Sequence, residues 1–201
     1  PEKAVEAGFK ENAIFEVPEG VGGRFSIWSH FGLGLVVSLG LDSYTQLLAG
    51  AYKMDKHFLE EELDFNLPYL LGLTRIWNRN ILNLQSLAIV PYEIGLKYFP
   101  SWFQQVEMES NGKSFDALGN NLELPAAPLV FGEVGTEAQH SFFQMLHQGI
   151  EKIPVEFLVP FEGKNTFNEN NKVSDPHSRL IVNAIAQAEA LITGKQTNKD
   201  Q

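Results

Sequence analysis

"LAIVPYEIGLKYFPSWFQQVEMES", Leu87 to Ser110, is the stretch on which the fold class turns. It opens on a short apolar run, Leu87–Val90, of strand length. A helical pattern, Pro100–Glu109, follows. Pro100 fits a first helical position, where its missing N–H costs nothing. A short strand followed by a longer helix is the repeating half of a parallel sheet, and the same alternation runs along the chain. Further strands are predicted at Ile14–Val17, Leu129–Phe131 and Val155–Val159. Further helices are predicted at Ser26–Leu39, Ser43–Phe58, Leu67–Leu82, Glu137–Gln148 and Ser178–Thr193. This order predicts an α/β protein with a mainly parallel sheet. Thr136-Glu-Ala-Gln139 reads as a capping box, and Gly149 as the stop of the helix it begins. The polar stretch Glu162–Asp175, with four asparagines, reads as a loop and Gln196–Gln201 as a frayed tail. With no repeat and no linker, residues 1–195 read as one domain with a helical excursion after Gly40.

Composition narrows the partners. The 201 residues are 44% hydrophobic, enough for one sizeable core or two small ones. Formal net charge is −10 with no long basic stretch, which argues against nucleic acid and anionic membranes as main partners. An anionic metabolite remains possible, because a few local cations and backbone amides suffice to bind one. The absence of cysteine excludes disulfides and thiolate metal sites and is compatible with an intracellular setting, and the expected location is cytoplasmic. The longest apolar stretch, Phe31 to Leu41, contains three glycines and a serine and is too short to span a bilayer. No signal peptide is visible, and Pro1 in place of Met suggests a processed or excised piece.

Three stretches carry candidate chemistry. In "GVGGRFSIWS", Gly20 to Ser29, a predicted strand gives way to glycines, an arginine and a helix. Such a turn lets backbone amides and Arg24 approach a ligand at the carboxyl end of a strand. A tight turn with Arg24 in a structural ion pair accounts for the pattern equally well. In "FQQVEMESNGK", Phe103 to Lys113, winding the chain at about 100° per residue puts Trp102, Gln105, Val106 and Glu109 on one face. Gln104 and Glu107 then point to solvent. Glu109 would sit partly buried at a helix C-terminus before the turn Ser110-Asn-Gly112, and both effects raise a carboxyl pKa towards the range of a general base. The plainer reading is a helix-end glutamate turned into solvent. His140 falls in the first turn of the capped helix, in line with Phe143 and His147, where the helix dipole favours a neutral ring. A core histidine fits that position too, as it does for His147 and His177. His30 and His57 fall at helical positions without a partner pattern. No zinc-type histidine spacing is present, so no metal is expected.

Taken together, "VGGRFSIWS", "FQQ…MESNGK", "GEVGTEAQH" (Gly132–His140), "HQG" (His147–Gly149) and "AQAEAL" (Ala186–Leu191) resemble, in order and spacing, the glucose-6-phosphate isomerase (phosphoglucose isomerase) family. In that family a sugar isomerase (SIS) domain occurs twice, and this chain resembles the second copy. The resemblance implies a doubly wound, three-layer αβα sandwich, a sugar-phosphate substrate and no cofactor. It implies Glu109 as the base moving a proton between C1 and C2, and Arg24 as the stabiliser of the enediolate. His140 would assist ring opening from the neighbouring subunit of a homodimer, and Gly23 and Gln105 would line the site. An aldose–ketose isomerisation needs such a base and a cation where oxyanion charge develops.

His30 departs from the family's small residue after Trp-Ser, which is expected to alter local packing. Val134, Glu137 and Ala138 replace the family's Pro, Asn and Gly, favouring a helix start before His140. The Ser/Thr-rich phosphate loop of the first SIS domain and the lysine-bearing C-terminal segment are missing, so the piece alone is expected to be inactive. Two other readings compete: a non-catalytic SIS domain that senses a sugar phosphate and regulates a partner, and a structural dimerisation domain. Arg24, Gln105, Glu109 and His140 together favour the enzyme, since a sensor has no need of the base.

Overall fold

The computed structural model describes residues 2–161 and 176–194. The described residues form two compact units that divide between Thr74 and Arg75. The polar loop and frayed tail read from the sequence lie outside the described residues.

The first unit is helical. A short helix α1 (Glu2–Glu6) precedes one 3₁₀ turn, Glu11–Ala13, and two more, Gly23–Trp28 and His30–Gly32. Helices α2 (Leu33–Leu39) and α3 (Leu41–Glu60) follow, and α4 (Leu67–Ile76) begins. Ile14–Val17 is not a strand. Ile14 has extended dihedrals, but among the described residues no strand pairs with it. The Glu16 carbonyl instead accepts a bond from His30 Nδ1 at 2.6 Å. Ser26–Leu39 is three pieces rather than one helix. Ser29 is extended, its hydroxyl donates to the Ser26 carbonyl at 2.7 Å and accepts from Phe31 N–H at 3.4 Å. That local side-chain pairing competes with the helix ladder and interrupts it. Gly40 turns the chain between α2 and α3 with φ of +83°, a conformation that glycine adopts without a Cβ clash. Helix α3 outruns the predicted Ser43–Phe58 at both ends.

The second unit holds the sheet. After the π-helical turn Trp77–Ile81, which ends the predicted Leu67–Leu82 helix, come β1 (Ser86–Pro91), α5 (Phe99–Gln104) and a second π turn, Gln105–Glu109. Then come β2 (Leu129–Gly132), α6 (Gly135–Ala138), α7 (Phe143–Gln148), β3 (Val155–Leu158) and α8 (Pro176–Thr193). The three strands are parallel in the order β2-β1-β3, with Ser86 opposite Leu129 and Ala88 opposite Val155. The central strand β1 is buried on both faces. Leu87 and Ile89 pack with Val130 and Phe103 of α5 on one side. Ala88, Val90 and Tyr92 pack with Ala138, Phe143 and Ala184 of α6, α7 and α8 on the other. The unit is therefore the expected α/β sandwich, helices on both faces of a parallel sheet.

Two predicted helices of this unit differ in detail. Pro100 is the second residue of α5 rather than the first, and it is buried. The predicted helix Glu137–Gln148 is α6, a turn, and α7. Phe142 and Phe143 both enter the core cluster, Phe142 edge-on to Phe131 at 5.0 Å. Adjacent residues of one unbroken helix lie about 100° apart, so a break lets both rings in. The capping box does not form. The α6 N-cap is Val134, whose carbonyl accepts from the Glu137 and Ala138 amides, while Gln139 Nε2 donates to Asn183 Oδ1 at 2.8 Å. A Cβ on Gly135 would strike the Tyr92 ring, which fixes where α6 starts. Gly149 does end α7.

Candidate active site

The first unit carries Gly23 and Arg24 at the head of the turn Gly23–Trp28. The expected strand before it is absent, so these residues are held by a different device. The Tyr44 hydroxyl of α3 donates to the Ile27 carbonyl at 2.9 Å, tying the turn to the longest helix of the unit. A Cβ on Gly32 would meet that same hydroxyl, so the contact needs a glycine there. Gly23 is exposed and Arg24 half-buried.

In the second unit the structure turns the Pro100–Glu109 segment the other way round from the sequence reading. Phe103 is the buried anchor, 8% exposed, stacked on Phe99 at 6.0 Å. Gln104 and Glu107, expected in solvent, are half-buried. Gln104 Nε2 donates to the Val130 carbonyl at 3.0 Å, and Glu107 Oε2 lies 3.9 Å from Arg75 Nη1. Trp102, Gln105 and Glu109, expected to face the core, are exposed, and only Val106 is half-buried as expected. The i,i+4 pair Phe99–Phe103 is the stronger apolar stripe and wins the core face.

Gln105 and Glu109 are exposed rather than buried, and both stand on a single π turn. The backbone stays helical through Ser110, and Lys113 Nζ donates to the Glu109 carbonyl at 2.9 Å. That cation satisfies a terminal carbonyl in the way of a C-cap.

His140 lies in the turn between α6 and α7, not inside a helix, and is exposed. It lines a groove of about 550 Å³ with Gln144, His147, Gln148 and Gln187. His147 Nε2 donates to Gln187 Oε1 at 3.1 Å. Neither Gln105 nor Glu109 lines this groove. His177 is the core histidine, buried and bonded through Nε2 to the Pro160 carbonyl at 3.0 Å. Of the departures, His30 serves as the tether of Glu16 described above. Glu133 Oε2 accepts from Ser141 Oγ at 2.8 Å and holds the His140 turn closed. Tyr92 sits under that turn, its hydroxyl buried beside the Gln139 side chain without a well-formed hydrogen bond among the described residues. Burial pushes its pKa up, and the Gln139 side chain pulls it partly back. Among the described residues no three His, Asp or Glu side chains converge as metal ligands would, and no helix is long and apolar enough to cross a membrane.

The phosphoglucose isomerase family model matches residues 1–201, end to end. The chain belongs to the phosphoglucose isomerase family. It is 44% identical over 194 residues to the glucose-6-phosphate isomerase of Chlorobium phaeobacteroides, covering 96% of this chain and 34% of that protein. It is 43% identical over 195 residues to the enzyme of the same name from Burkholderia multivorans, covering 97% and 35%. Among solved structures, a glucose-6-phosphate isomerase from Chlamydia trachomatis matches with a TM-score of 0.84 at 38% identity, covering 92% of this chain and 36% of that one. A hypothetical protein from Thermus thermophilus matches with a TM-score of 0.75 at 26% identity, covering 96% and 46%. This phosphoglucose isomerase family chain thus spans about a third of the length of the curated relatives it matches.

Sequence reasoning missed Arg75 and Glu156 and set Glu107 in solvent, whereas the three form a charged cluster that reaches into the π turn. The signal was present. Arg75 interrupts an apolar helix and Glu156 an apolar strand, and opposite charges placed inside two apolar runs are each other's natural partners.

Proposed function

We propose that this chain is part of a cytoplasmic glucose-6-phosphate isomerase that interconverts glucose 6-phosphate and fructose 6-phosphate in glycolysis and gluconeogenesis. The observation that carries the reading is the π turn in "FQQ…MESNGK", which presents Gln105 and Glu109 to solvent side by side. Single π turns inside α-helices recur at functional sites. The Glu109 carboxylate takes the proton from C2 of the open-chain aldose and returns it to C1. Arg24 stabilises the oxyanion of the enediolate formed between the two transfers. Gly23 and Gln105 line the sugar, and residues 1–195 are one SIS-type domain. His140 assists ring opening at the site of a neighbouring subunit in a two-fold dimer. That assignment is supported by the groove around His140, whose walls include neither Gln105 nor Glu109.

Glu109→Gln in the full-length protein tests the base. The amide keeps the shape and loses the proton acceptor, so turnover should fall by about 10²–10⁴-fold or more with the fold intact. Activity within a few-fold of wild type at unchanged thermal stability would remove Glu109 from the role.

A further inference from the structure

The Arg75 side chain joins three elements of the second unit. Its Nε donates to Glu156 Oε1 at 2.9 Å and its Nη2 to Glu156 Oε2 at 2.7 Å, a bidentate fork onto β3. Its Nη1 lies 3.9 Å from Glu107 Oε2, inside the π turn. The guanidinium carbon stands 4.7 Å from the centre of the Phe103 ring on α5. The three charged side chains are only 24%, 14% and 23% exposed for Arg75, Glu107 and Glu156.

Half-buried ions of this kind are a poor way to gain stability, because desolvation offsets much of the attraction and apolar residues of like volume do as well. What they do well is fix one arrangement against its alternatives. The fork allows the guanidinium one orientation on the strand. From there it faces Glu107 Oε2 across 3.9 Å and, with Asn111 Nδ2 donating to Glu107 Oε1 at 3.3 Å, keeps that carboxylate inward. Residues two apart on a helical turn point roughly opposite ways, so a turn with Glu107 held inward holds Glu109 outward.

We infer that Arg75, anchored on Glu156 and gripping Glu107, is a positioning residue that sets the aim of Glu109. The inference rests on the reading of Glu109 as the base. A displacement of about 1 Å at a reacting group is worth about 10²-fold in rate, so a loosened turn slows turnover without weakening substrate binding.

The test uses full-length protein with Arg75→Met, Glu107→Gln, the double variant Arg75→Met/Glu156→Gln, and Glu109→Gln as the reference for loss of the base. Each is compared at equal folded concentration, with thermal melting recorded beside the kinetics. Arg75→Met should lower kcat by about 10–100-fold with KM within about twofold. Glu107→Gln keeps the fork on Glu156, so it folds even where Arg75→Met does not, and its kcat should fall by about 3–10-fold. The double variant Arg75→Met/Glu156→Gln removes the carboxylate that Arg75→Met leaves without its fork, so it should regain melting temperature but none of the lost kcat. Recovery of kcat in step with stability, or wild-type kcat in Glu107→Gln, overturns the inference while an inactive Glu109→Gln leaves the base in place. An active Glu109→Gln overturns the reading of the base itself.

Discussion

Tyr92 is the residue whose chemistry is least used by its surroundings. Its ring is packed in the core against Phe157 and Gly135, while its hydroxyl makes no well-formed bond among the described residues. Tyr92→Phe removes a buried polar group without leaving a partner unpaired, so stability should be unchanged or higher by about 1 kcal/mol in chemical denaturation. The raised pKa gives the substitution a second signature. The folded state holds the phenol proton more tightly than the unfolded chain, so stability falls as pH climbs above the ordinary tyrosine value. Tyr92→Phe should flatten that alkaline decline, and a decline equal to wild type would place its cause elsewhere. Arg24→Lys belongs at the same scale. An ammonium lacks the planar fork and the reach of a guanidinium, so kcat of the full-length protein should drop severely with KM little changed. A raised KM at normal kcat would move Arg24 to ground-state binding. Which side chains stand at which spacing is read directly from the motifs, since spacing survives any rotation of a helix. Orientation is not. Gln105 and Glu109 were expected inward and Gln104 and Glu107 outward, and the Phe99–Phe103 stripe with Arg75 behind it reverses both.

At the scale of elements, Phe103 is the α5 side chain in the buried cluster of the sheet face. Phe103 meets Leu87, Ile89 and Val130 across the sheet face and supports the π turn that follows. Phe103→Ala should cost about 3–5 kcal/mol, measured by denaturant unfolding. A loss under about 1 kcal/mol would mean that the face collapses to fill the gap. The three strands from Leu87 onward were legible because each is a short apolar run, and β1 in particular is buried on both faces. The predicted strand Ile14–Val17 had the right composition but lacked a neighbour, and a strand is a property of a pair. Helix interruptions were illegible for a related reason. Ser29 pairing with its own backbone, and Phe142 and Phe143 both reaching the core, are outcomes of tertiary choice that periodicity does not record.

At the scale of the whole molecule, the chain alone is expected to show no isomerase turnover, since it spans about a third of its relatives and remote binding energy normally lowers the chemical barrier. Robust activity in rigorously purified material would overturn that expectation. The dimer is tested by mixing full-length Glu109→Gln and His140→Ala chains, each nearly inactive, and letting subunits exchange. If each site takes Glu109 from one chain and His140 from its neighbour, about a quarter of all sites become intact under random pairing. No recovery, with exchange confirmed, would place His140 in its own subunit's site. The sheet order has a consequence for birth on the ribosome. The middle strand β1 is made first, and both of its neighbours, β2 and β3, are made after it. At about 5–20 residues per second, "LAIVP" emerges seconds before β3 exists to cover its second edge. For that interval the most buried segment of the finished sheet is an open apolar template, and it is there that a chaperone has most to shield.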